Sequence, residues 1–83
     1  LKLPRDIGGE ELARLPGKYG YVATRQTGSH LRLTSVHKGS QHHVTIPKHT
    51  SLTVGTLSSV INEVAFYLEM DRHSLIVSLF GPK

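Results

Sequence analysis

Arg25-Gln26-Thr27-Gly28-Ser29-His30-Leu31-Arg32-Leu33-Thr34 is the stretch whose reading decides the fold. Tyr19 to Gln26, rich in Tyr, Val and Thr, reads as a first strand. Thr27-Gly28 breaks it, and Ser29 to Val36 reads as a second. Lys38-Gly39-Ser40 marks another turn, and Gln41 to Ile46 a third strand stopped by Pro47. Strands this close in sequence join most simply as hairpins. Side chains alternate along a strand, so Leu31 and Leu33 share one face of the second strand, and His30, Arg32 and Thr34 the other. In the third strand Val44 and Ile46 take the apolar face, and His43 and Thr45 the polar one. The pattern predicts an antiparallel sheet covered on one side and open on the other.

Helical signals lie on either side. Gly8 to Leu15 reads as a short helix with Glu10 and Glu11 in its first turn, stopped by Pro16-Gly17. From Thr56 to Met70, Leu57, Val60, Ile61, Val64 and Leu68 form one apolar stripe, long enough to cover the sheet. Asp71 is placed to cap a last helix, Arg72 to Phe80, with Leu75, Ile76 and Leu79 inward and Gly81-Pro82 ending it. The expected class is α+β, in the order helix, three strands, helix, short helix, with residues 1–83 as one domain.

The chain has 83 residues, 37% of them hydrophobic, so a modest core is possible and wholesale disorder is not expected. It has no cysteine, which excludes disulfides and cysteine-based zinc sites and fits a reducing cytoplasm. No apolar stretch approaches the roughly 20 residues of a membrane helix. Leu1 to Asp6 carries no apolar signal-peptide core, so neither membrane nor export is expected. Ten Lys and Arg against six acidic residues give a formal charge of +4. That balance suits a polyanion or an acidic partner.

His30 is the candidate catalytic residue. RNA carries its own nucleophile, the ribose 2′-hydroxyl, and an imidazole can act as base or acid in its cleavage. Gly28 leaves room for a phosphate backbone and Ser29 offers a hydroxyl. Arg25, Arg32, Lys38 and Lys48 supply cations. The plain alternatives are a surface histidine at a strand start and a solvated basic face. His37, His42, His43 and His49 invite a metal reading, but His42 and His43 must point to opposite faces and no carboxylate lies between His30 and Glu63. No metal or small-molecule cofactor is expected. Tyr19, Tyr21, Phe66 and Tyr67 are candidates for base stacking, although Phe66 and Tyr67, on the long helix, are better placed to pack or mark an interface.

Taken together, Gly9-Glu10-Glu11-Leu12, Gly20-Tyr21, Arg25-Gln26-Thr27-Gly28-Ser29-His30, Val44-Thr45-Ile46-Pro47-Lys48-His49 and Gly55-Thr56-Leu57 resemble the HicA-type (YcfA-like) mRNA interferase toxins, over roughly residues 8 to 65. The resemblance implies a double-stranded-RNA-binding-domain-like fold with helices on one face of a three-stranded antiparallel sheet. It implies metal-independent endoribonuclease activity on mRNA, held in check by a HicB-type antitoxin. The family's catalytic histidine falls on His30 and its glycine on Gly28. Arg25, Gly28, Ser29, Arg32, Lys48 and His49 are the candidate RNA-binding residues. The second proton carrier is left open among His43, His49 and water. Two departures stand out. Pro16-Gly17 falls where the family continues its first helix, and Val64 to Met70 replaces a family turn after the long helix. A non-catalytic RNA-binding module and a protein-interaction module are the alternatives.

Overall fold

A computed structural model describes residues 3–81. The elements are α1 (Gly9–Arg14), a 3₁₀ turn (Leu15–Tyr19), β1 (Val22–Thr27), β2 (His30–Ser35), β3 (His42–Pro47), α2 (Val54–Leu68) and α3 (Arg72–Phe80). The sheet is an antiparallel meander in the order β1-β2-β3. This is the α+β, double-stranded-RNA-binding-domain-like arrangement that the strand alternation and the resemblance predict.

The core forms where the two apolar patterns meet. Leu33, Val44 and Ile46 come from the sheet, Leu57, Val60, Ile61, Val64 and Leu68 from the stripe of α2. Leu12 of α1 and Leu75 and Ile76 of α3 complete it. Each such side chain contributes about 1.5–3 kcal/mol by leaving water. Helix α1 packs on β2 and β3, and α2 on β3. Strand β1 pairs with β2 and is exposed at all six residues.

The starts of β1 and α2 differ most from the sequence reading, while the strand ends shift by one residue and β3 takes in Pro47. The first strand starts at Val22, three residues later than expected, because Leu15–Tyr19 is a 3₁₀ turn that ends with Gly20 in the left-handed region (φ 82°). Pro16-Gly17 therefore tightens the helix rather than ending it. Proline at the second position of this turn lacks only an N–H that has no helical partner there. The long helix starts at Val54, with the Thr53 hydroxyl accepting from the Thr56 N–H at 3.1 Å. It ends at Glu69 in the left-handed region (φ 57°). Asp71 caps α3 as predicted, accepting from the Ser74 N–H at 3.0 Å. Gly81 follows α3, and Pro82 lies outside the described residues.

Three of the four aromatic candidates for base stacking are engaged inside the fold. Tyr21 is buried, and its hydroxyl lies 2.7 Å from His42 Nδ1. His42 stacks on Tyr67, with ring centroids 4.7 Å apart. The Tyr67 hydroxyl donates to the Ser40 carbonyl at 2.6 Å and accepts from the Lys38 N–H at 2.9 Å, tying α2 to the β2–β3 turn. The Tyr19 hydroxyl meets Ser78 Oγ of α3 at 2.6 Å. Phe66 alone is open, on the outer side of α2.

Residues 7–9 run against residues 47–52. Leu52 N–H donates to the Ile7 carbonyl at 2.8 Å and Gly9 N–H to the His49 carbonyl at 2.9 Å. A methyl group at Gly9 would run into the Pro47 carbonyl, whereas Gly17 faces open space. Gly9→Ala should therefore cost about 3 kcal/mol of unfolding free energy, and Gly17→Ala should stay within about 1 kcal/mol of wild type; urea titrations of both variants measure the difference.

Burial, then the neighbouring Tyr67 and Glu63, push the Tyr21 phenol well above its ordinary range. The folded protein thus keeps a proton that an unfolded chain releases near pH 10. This contribution is complete below about pH 10 and is lost as pH rises beyond it. Tyr21→Phe should flatten the decline in stability from about pH 10 upward, while losing about 1 kcal/mol at neutral pH with the bond to His42; urea melts from neutral pH to about pH 11 read both.

Candidate functional site

The uncovered face of the sheet carries a shallow groove of about 350 Å³, lined by Arg25, Thr27, His30, Arg32, His43 and Thr45. Its geometry follows from strand pairing. Residues directly opposite one another share a face, so Thr27, His30 and Pro47 form one row, and Arg25, Arg32 and Thr45 the next. Thr34 and His43 form a third.

Arg25 and Thr27 reach this face because β1 contains a bulge. The register shifts between Ala23 and Arg25, so Thr24 has no partner of its own. With Thr24 paired regularly opposite Arg32, alternation from Ala23 would turn Arg25 toward the covered side. Thr24 also faces the groove side: its hydroxyl lies 2.7 Å from Thr34 Oγ1 and donates to the Arg32 carbonyl at 3.3 Å.

His30 opens β2 directly after a two-residue loop, Gly28-Ser29. Gly28 holds φ 55° and Ser29 does not enter the left-handed region, the glycine-first pattern that suits a tight hairpin. A Cβ at Gly28 would meet nothing within 4 Å. The backbone conformation of the loop, rather than crowding, is therefore what calls for glycine. The Ser29 carbonyl accepts from the Lys48 N–H at 2.6 Å, which anchors the loop to the end of β3.

The electrostatics of the face are one-sided. No Asp or Glu occurs between Glu11 and Glu63, so the whole sheet is free of carboxylates. Arg25 and Arg32 sit directly opposite one another, and among the described residues neither has an acidic partner. Like charges in this position repel and destabilise the sheet. A bound polyanion removes that repulsion.

Lys48 and His49, predicted to share the site, line a second cleft with Gly8, Glu10, Glu11, Arg14 and Thr50. Lys48 Nζ is 3.1 Å from Glu10 Oε2. Its charge is thus partly spent within the protein. His42 and His43 do point to opposite faces: His42 packs against Tyr21 and Tyr67, and His43 lines the groove with Nδ1 2.8 Å from Thr34 Oγ1. Thr27 and Thr45 were not singled out for the site from the sequence. Thr45 was legible from alternation along β3, whereas Thr27 depends on the bulge.

A family model described as HicA toxin of bacterial toxin-antitoxin matches residues 9–65. The chain belongs to the HicA toxin family. Comparison with curated proteins and with solved structures gave no match. The matched HicA segment runs from α1 through β1–β3 into α2 and contains the whole groove and, except for Gly8, the second cleft. As a member of a toxin family of toxin-antitoxin systems, it implies a partner antitoxin. No helix among the described residues is long and apolar enough to cross a membrane.

If the groove takes up an RNA backbone, each cation there should contribute to the salt dependence of binding. Arg32→Ala should lower the slope of log K against log salt by about 0.7. Glu10→Gln, which releases Lys48, should raise it by a similar amount and tighten binding. Fluorescence anisotropy with a single-stranded RNA across a salt series measures both.

Proposed function

We propose that this toxin is an endoribonuclease that cleaves mRNA in the cytoplasm without a metal, with His30 as its catalytic residue. The observation that supports it is the placement of His30 beside an arginine pair with no acidic partner among the described residues, on a sheet face without Asp or Glu. Such a face offers a divalent cation no oxygen ligands of the usual kind. It offers a phosphodiester two guanidiniums and an imidazole.

The chemistry is transesterification. The 2′-oxygen of a ribose bonds to the adjacent phosphorus, and the bond from phosphorus to the 5′-oxygen of the next nucleotide breaks. The 2′-hydroxyl gives up a proton and the leaving 5′-oxygen takes one. His30, exposed at the groove edge, carries one of these transfers and water the other. Arg25 and Arg32 hold the non-bridging oxygens and stabilise their growing charge. Gly28 and Ser29 in the loop, and Lys48 and His49 beyond β3, extend the binding surface. A HicB-type antitoxin neutralises the toxin by covering this face.

The test is labelled RNA incubated with purified protein in EDTA. Wild type should yield fragments ending in a 2′,3′-cyclic phosphate. His30→Ala should cut at least about 100-fold more slowly, with RNA affinity changed by no more than a few-fold. RNA binding without cleavage by wild type would leave an RNA-binding module; binding to an antitoxin alone would leave an interaction module.

A further inference from the structure

The groove has a second imidazole whose place and bonding suit a different task from that of His30. His30 lies opposite Pro47 and His43 opposite Thr34, so the two are four residues apart along the strands. At about 3.3 Å per residue this is about 13 Å. The His43 ring is also held sideways, toward its neighbour Thr34, by the 2.8 Å contact at Nδ1. Proton carriers acting on one phosphodiester must each come within hydrogen-bond reach of it. His43 is too far along the groove for that, and Arg25, Arg32 and Thr45 lie between.

The hydroxyls behind His43 favour one tautomer of its ring. A hydroxyl has one hydrogen to give. The Arg32 carbonyl, 3.3 Å from Thr24 Oγ1, can only accept. All three contacts are made together when Thr24 gives its hydrogen to that carbonyl, Thr34 gives its own to Thr24 across 2.7 Å, and His43 Nδ1–H donates to Thr34 across 2.8 Å; the reverse order leaves the carbonyl contact without a hydrogen. Nε2 is left with a free lone pair on the exposed side of a groove-lining residue. A phosphate has only acceptor oxygens and finds no partner there. An N–H on the edge of a nucleobase does.

We propose that His43 is a base-reading residue: its Nε2 accepts from a nucleobase N–H one or two nucleotides away from the bond that His30 cleaves, and Thr24 and Thr34 are positioning residues that hold it in this tautomer. The inference rests on the ribonuclease reading for its substrate. Its test does not depend on cleavage.

Long-range ¹H–¹⁵N correlation spectra of the folded protein at neutral pH should show the His43 proton on Nδ1, and Thr34→Val should lose that signature. A proton on Nε2 in wild type would overturn the proposal. Base preference is then read by selecting bound molecules from a randomised single-stranded RNA pool with His30→Ala, which leaves the RNA intact. One position should favour particular bases by about tenfold. Adding His43→Ala should flatten that position, and adding Thr34→Val should weaken it. Replacing the favoured base with an analogue lacking the N–H should cost the same factor, and a 2′-deoxy substitution there should cost little. A preference that survives His43→Ala, a pool bound without preference, or a loss that follows the 2′-hydroxyl instead of the base would each overturn it. Failure of wild type to cleave RNA would remove the ribonuclease reading and leave this measurement intact.

Discussion

The groove depends on the register between β1 and β2. Side chains alternate with a period of two, so one residue more or less on a strand turns its later side chains over. The unpaired Thr24 supplies such a shift within β1. Below it, Ala23 lies opposite Leu33 on the covered face; above it, Arg25 and Thr27 lie opposite Arg32 and His30 on the open one. The Gly28 loop and the Lys48 N–H to Ser29 carbonyl bond pin the other end of the hairpin. Each charged member of the groove owes its position to this one irregularity or to the strand it pairs with.

The same hairpin carries a cost. Two guanidiniums opposite one another without a counter-ion weaken the pairing of a strand exposed along its whole length. The fold offsets this elsewhere. All of its carboxylates lie outside the sheet, and the one ion pair among the described residues, Glu10 with Lys48, sits beside α1. Stability comes from the opposite face, where Leu33, Val44 and Ile46 meet α2. The two faces of one sheet therefore do separate jobs: one is packed and neutral, the other cationic and open. That division lets the repulsion persist without unfolding the domain.

Much of this was legible in the sequence because it depends on period. The apolar stripe of α2, the alternation of β2 and β3, and the Asp71 cap all follow from local pattern. His30 and Arg32 followed from β2 alone, as His43 did from β3. What escaped depends on non-local geometry. Nothing in Val22-Ala23-Thr24-Arg25 announces a bulge, since the shift exists only relative to β2. The turn at Leu15–Tyr19 looked like a stop followed by a strand because Pro16-Gly17 breaks helices and Tyr19 favours strands. The hairpin pattern and the resemblance place Lys48 beside His30, but the segment after Pro47 turns toward α1, where Lys48 meets Glu10. Gly8 and Gly9 read as helix-start residues, but Gly9 at least is fixed by the close approach of α1 to Pro47.

The 3₁₀ turn and the last helix meet in space. The 3₁₀ turn containing Pro16-Gly17 presents Lys18 and Tyr19 to α3, which follows α2. Lys18 Nζ donates to the Ser78 carbonyl at 2.8 Å, and the Tyr19 hydroxyl meets Ser78 Oγ at 2.6 Å. Residue 65, where the family match ends, lies four residues before Glu69, whose left-handed conformation turns the chain from α2 into α3. A broken first helix would by itself leave carbonyls and a tyrosine hydroxyl in need of partners. The last helix needs a surface on which to bury Leu75 and Ile76. Joined, each supplies what the other lacks: α3 buries its apolar side in the common core, and its last turn anchors the 3₁₀ segment that leads into β1. These contacts lie before the start of β1, at the opposite end of that strand from the Gly28-Ser29 loop that leads into His30.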